Sequence, residues 1–204
     1  MNQNHTKPPE FEGYSPNDMH TILYDTFSEH SPIQLLNLSE AEYKKVPMLQ
    51  QIKYLLKLVK DQGELKLTTK GYLPPVLVKD IYSQGFLLES SIESGIVKLH
   101  KEADSRTIGL TKILVELSGL VKKRNNKLSL TKKGKTLIKQ DTKLLPLIFM
   151  TFITKFNWAY YDAYSDEHIG QLGCGFSLIL LSKYGHQNQA SSFYAAKFLK
   201  AFPS

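Results

Sequence analysis

At 204 residues the chain has material for one large domain or two small ones with a real core, and 42% hydrophobic with 22% charged residues is an ordinary globular composition. Cys174 is the only cysteine, which excludes an intramolecular disulfide and fits a reducing, cytoplasmic compartment. The formal charge is +7, and the excess is local: eight basic and no acidic residues lie between Lys122 and Lys139, while outside that window 18 basic residues face 19 acidic.

Residues 1–13 are polar, hold two prolines and lack periodicity; with no apolar segment they are not expected to be a signal peptide. Ser15-Pro16-Asn17-Asp18 starts a helix expected to reach Phe27, with Met19, Ile22, Leu23 and Phe27 on one face. Ser39-Glu40-Ala41-Glu42 is a capping box for a short helix. Met48 to Lys60 carries Ile52, Leu55, Leu56 and Val59 at helical spacing. Glu64 to Thr68 alternates apolar and polar residues as a half-buried strand does, and Pro75 to Ser83 suits a helix. Ile92, Ile96, Val97 and Leu99 favour a further helix, weakened by Gly95.

Arg106 to Ser118 is expected to be helical, with Leu110, Ile113, Leu114 and Leu117 toward the core and Ser105, Ile108, Lys112, Val115 and Glu116 outward. Leu120–Arg124 and Lys127–Leu130 read as strands around a two-residue Asn125-Asn126 turn, because asparagine tolerates positive φ. That turn pairs Val121 with Leu130 and Lys123 with Leu128, leaving Lys122, Arg124, Lys127 and Ser129 on the other face. Thr131 caps a helix running to about Gln140. Leu67-Thr68-Thr69-Lys70-Gly71 echoes Leu130-Thr131-Lys132-Lys133-Gly134 at four of five positions, better read as a recurrent connector than as a duplicated domain. Leu144–Tyr161, Ile169–Tyr184 and Gln189–Phe202 read as aromatic-rich helices that form packed core, a subunit interface or a pocket. The apolar runs 144–153 and 172–181 are far shorter than the roughly 20 residues of a membrane span, so no membrane partner is expected.

The order helix, strand, helix, an extra helix, helix, strand, turn, strand, helix from Met48 to Gln140 resembles the winged-helix domain, with LVKKRNNKLSLTKKGKTLI similar to the wing and following helix of many bacterial regulators. The connection from Ser83 to Arg106 is longer than the compact form of that domain needs. More broadly the chain resembles a bacterial family with no established activity, through Phe11–Pro16 with Met19-His20, Leu65–Pro74, Phe156-Asn157-Trp158 and Ala201-Phe202-Pro203. The expected architecture is therefore mainly α with a small β-ribbon: an N-terminal tail and helical segment over 1–47, a winged-helix-like domain over 48–141 and a helical region over 142–204.

The resemblance implies a helix in the DNA major groove and a wing on phosphate. The candidate nucleic-acid-binding residues are Lys112, Lys122, Lys123, Arg124, Lys127, Lys132, Lys133 and Lys135. The outward face expected for the third helix offers Lys112 alone as a groove reader, with Ile108 and Val115 beside it and Glu116 repelling phosphate, so the wing rather than the helix carries the expectation. The alternative is a protein-interaction module, hetero- or homo-oligomeric, whose third helix is covered by the C-terminal helices. Asp162, Asp166, Glu167 and His168 read as a helix start rather than a metal site, and Cys174 as a buried small residue rather than a nucleophile. The other five histidines show no local partner pattern, and no phosphate-loop, dinucleotide, nucleophile-elbow or zinc-protease motif occurs. No cofactor is implied, and a non-catalytic protein is favoured over an enzyme.

Overall fold

A computed structural model describes residues 7–159 and 173–202. Among the described residues the chain is mainly helical with one small antiparallel sheet. It divides into two compact units, one built from residues 1–36 and 157–204 and the other from residues 37–156.

In the first unit, α1 (Pro16–Tyr24) starts at the expected capping box: Ser15 Oγ accepts from Asp18 N, and the Asp18 carboxylate accepts from Ser15 N at 2.9 Å. It ends at Tyr24, a turn before the expected Phe27. Met19 and Ile22 pack with Phe176, Ile179, Leu180 and Ala201. Those residues come from two helices near the other end of the chain, which we number α9 (Cys174–Tyr184) and α10 (Ser191–Ala201) after the seven helices of the other unit.

The second unit opens with α2 (Glu40–Lys44), whose Ser39–Glu42 capping box is also closed. Helix α3 (Pro47–Gln62) buries Leu49, Ile52, Leu55, Leu56 and Val59 along one stripe. Strand β1 (Glu64–Lys66) buries only Leu65. Helix α4 (Pro75–Ser83) follows. The expected helix near Ile92–Leu99 is reduced to one turn, α5 (Ser90–Glu93); Gly95 adopts φ 76° and Ile96 is left exposed. Helix α6 (Arg106–Leu117) leads into β2 (Val121–Arg124) and β3 (Lys127–Leu130), then α7 (Lys132–Leu137) and α8 (Asp141–Thr154).

The hairpin forms as the residues require. Asn125 and Asn126 hold φ of 50° and 52°, and β2 pairs with β3 in the expected register, Val121 opposite Leu130 and Lys123 opposite Leu128. β1 joins the other edge of β3, giving the strand order β1-β3-β2.

The orientation of α6 differs from expectation. Ile108 and Val115 are fully buried and Lys112 is 8% exposed, whereas Ile113 and Leu117 are 37% and 39% exposed. The helix carries two overlapping apolar stripes that share Leu114, and periodicity does not choose between them. Packing does: α3, α4 and α8 all lie against α6, and Ile108, Leu114 and Val115 share a core with Leu49, Ile52, Leu144 and Ile148. Gln51 Nε2 fixes the rotation by donating to Thr111 Oγ1 at 2.8 Å and to the Thr107 carbonyl at 3.2 Å.

No helix among the described residues is long and apolar enough to cross a membrane.

Candidate nucleic-acid interface

Side chains alternate across a strand, so burial of Leu65, Leu128, Val121 and Leu130 turns their neighbours outward. Register then decides which neighbours meet. Lys66 stands opposite Lys127, and Lys127 opposite Arg124, so three cations form one row across the sheet. The adjacent row on the same face is Glu64, Ser129 and Lys122. Directly opposed residues place Cβ atoms roughly 5 Å apart, close enough for like charges to repel. Lys127 Nζ relieves part of this by bonding Glu64 Oε2 at 2.7 Å, with both side chains about half exposed. That hydrogen bond, with the charges of Lys127 and Lys122, holds the Glu64 carboxyl below its ordinary range.

The remaining candidates divide by position. Lys122, Lys123, Arg124, Lys127, Lys132, Lys133 and Lys135 are all exposed. The Lys123 ammonium lies over Gly71, where an added Cβ would approach Nζ to 2.5 Å. Lys133 Nζ donates to the Ser118 carbonyl at 3.0 Å and so caps the C-terminal end of α6. Lys112 stands apart. It is buried against Glu102 Oε1 at 3.1 Å, with Glu116 Oε1 at 3.9 Å and the Tyr72 ring centroid 5.5 Å away. Its charge is spent inside the unit. Glu102 also accepts from Leu73 N at 2.6 Å, so the pair ties α6 to the loop before α4.

The N-terminal end of α6, a natural anion site, is already filled. Glu89 accepts from Ser105 Oγ at 2.5 Å, Thr107 Oγ1 at 2.9 Å, Thr107 N at 3.1 Å and Arg106 N at 3.2 Å. Burial opposes ionisation of Glu89, but the hydrogen bonds from Ser105, Thr107 and Arg106 outweigh it and hold the pKa below the usual carboxylate value.

Lys66 is the cation that sequence reasoning left out. Its exposure follows from alternation with Leu65, but its place beside Lys127 depends on a strand pairing 61 positions away along the chain, which no local signal records.

Other candidates bear little on an interface. Burial raises the Cys174 thiol to about 11, far from a thiolate at neutral pH. The Asp162, Asp166, Glu167 and His168 group lies outside the described residues. Among the described residues no three His, Cys, Asp or Glu side chains converge as a metal site.

No curated protein and no solved structure matches the chain. Residues 44–143, from the end of α2 to the first turn of α8 and so including the whole sheet, α6 and α7, are similar to the Y4jL N-terminal domain.

Proposed function

We propose that residues 48–141 act as a winged-helix domain that contacts nucleic acid through its basic hairpin, the wing, without catalysing a reaction. The order α3, β1, α4, α6, β2, β3, interrupted between α4 and α6 by the one-turn α5, and the strand order β1-β3-β2 support the winged-helix reading. The observation that carries the functional reading is the exposure of Lys122, Lys123, Arg124 and Lys127 on the hairpin and of Lys132, Lys133 and Lys135 on α7, in a span without an acidic residue. Four to six phosphate contacts give a log–log salt slope of roughly −4 to −5. Helix α6 is not favoured as the reader: Lys112 is paired inside, the N-terminal donors are held by Glu89, and only Arg106 at the first position is an exposed cation.

A second reading rests on the same helix. The exposed side of α6 holds Ile113 and Leu117, with Leu110 half-buried beside them, which suits a protein surface better than a DNA groove. Binding of the full chain to a labelled DNA duplex at low salt separates the two. The wing reading expects binding that is weakened, with a flatter salt slope, when Lys122, Arg124 and Lys127 are replaced together by Ala. Absence of binding, with self-association abolished by Ile113→Asp, would overturn it in favour of the protein-interaction module.

A further inference from the structure

The hairpin is only part of the charged face. β1 lies along β3, and the pairing continues past the strand: Leu67 N donates to the Asn126 carbonyl at 2.7 Å, so the chain of β1 follows β3 to the hairpin tip. The exposed face of this sheet therefore presents Lys66, Lys127 and Arg124 in one row and Glu64, Ser129 and Lys122 in the next. A central lysine opposed by a cation on each side is unfavourable in an isolated sheet and becomes favourable once an anion lies over the row. Glu64 now plays that part for Lys127 alone.

We infer that the surface contacting nucleic acid is the whole three-stranded face, with Lys66 of β1 as a phosphate ligand and Glu64 as an internal competitor that phosphate must displace from Lys127. This rests on the wing reading above. The pair to be broken is exposed, and exposed pairs are weak, so a phosphodiester replaces the carboxylate at small cost. The ligand is double-helical DNA bound through its backbone. The two rows carry no aromatic side chain on which an unpaired base would stack. They offer one neutral hydroxyl, that of the half-buried Ser129, where discrimination of RNA requires contacts to 2′-hydroxyls. Ammonium and guanidinium groups on phosphate carry no base information, so binding is indifferent to sequence.

The test measures binding of a mixed-sequence DNA duplex over a series of salt concentrations, using the full chain, Lys66→Ala and Glu64→Gln. Both positions are exposed, and a thermal melt of each variant checks that the fold is kept. Lys66→Ala is expected to weaken binding about threefold and to make the salt slope shallower by about 0.9, the loss of one phosphate contact. Glu64→Gln is expected to tighten binding about threefold and to steepen the slope, because Lys127 is released. If the parent chain binds duplex and both variants bind as it does, the three-stranded surface is overturned while the wing reading stands. If the parent chain does not bind at all, the wing reading itself fails. Tighter binding to single-stranded DNA or to duplex RNA of the same sequence would overturn the assignment to duplex DNA.

Discussion

Lys112 shows how far a single residue's meaning depends on which side of its helix is packed. Read along the sequence it is the one groove-reading candidate on α6; in the fold its ammonium sits 3.1 Å from Glu102 Oε1 and both side chains are buried. Removing one partner of a buried pair strands the other charge, so Lys112→Ala is expected to cost about 3 kcal/mol in denaturant unfolding. Glu89 holds the N-terminal end of the same helix and lies in the stretch that sequence periodicity reads least well. Its partners are 16 to 18 residues downstream, beyond the reach of any capping motif. Because its folded pKa is lowered, the stability it contributes is present above the ordinary glutamate value of 4.5 and is lost as pH falls through the folded value. Glu89→Gln is therefore expected to be less stable than the parent at neutral pH, with the gap closing in acid. Denaturant midpoints recorded against pH check this.

Elements with local causes were legible in the sequence. The hairpin register follows from Asn125-Asn126, and the starts of α1 and α2 follow from Ser15 and Ser39 with their reciprocal carboxylates. The Leu-Thr-x-x-Gly echo separates in the fold into two different devices. At the second copy, Thr131 caps α7 and donates to the Gly119 carbonyl at 2.8 Å, and Gly134 lies so close to the residue before β2 that a Cβ would stand 2.1 Å from the Leu120 carbonyl oxygen. At the first copy, Thr68 and Tyr72 close a turn in which Gly71 takes φ 79°. The shared letters serve backbone approach in one place and a left-handed turn in the other, consistent with a connector. Gly134→Ala is expected to destabilise by about 2–3 kcal/mol, because the neighbour is backbone and cannot swing away; thermal and denaturant unfolding measure it. The rotation of α6 was not legible, since Ile108–Val115 and Leu110–Leu117 are both credible apolar stripes.

For the whole molecule, apolar residues announce that they will be buried but not beside what. Tyr43 precedes the expected boundary at 47, and Leu144 and Ile148 follow the one at 141, and all three share the core of the second unit. The first unit gathers Met19 and Ile22 with Phe176 and Leu180, a partnership across more than three quarters of the chain that no periodicity encodes. Charge, by contrast, was legible at this scale: the eight basic residues between Lys122 and Lys139 concentrate on the hairpin and the segment after it. Only the contribution of β1 to that face required the fold. The central claim is that this exposed charge grips a phosphate backbone. Its most direct test is the affinity of the full chain for a DNA duplex measured against salt, beside Lys122→Ala/Arg124→Ala/Lys127→Ala. The expected log–log slope is roughly −4 to −5 for the parent, made shallower by about 3 in the triple variant. A slope near zero, or the same slope in both chains, would contradict it.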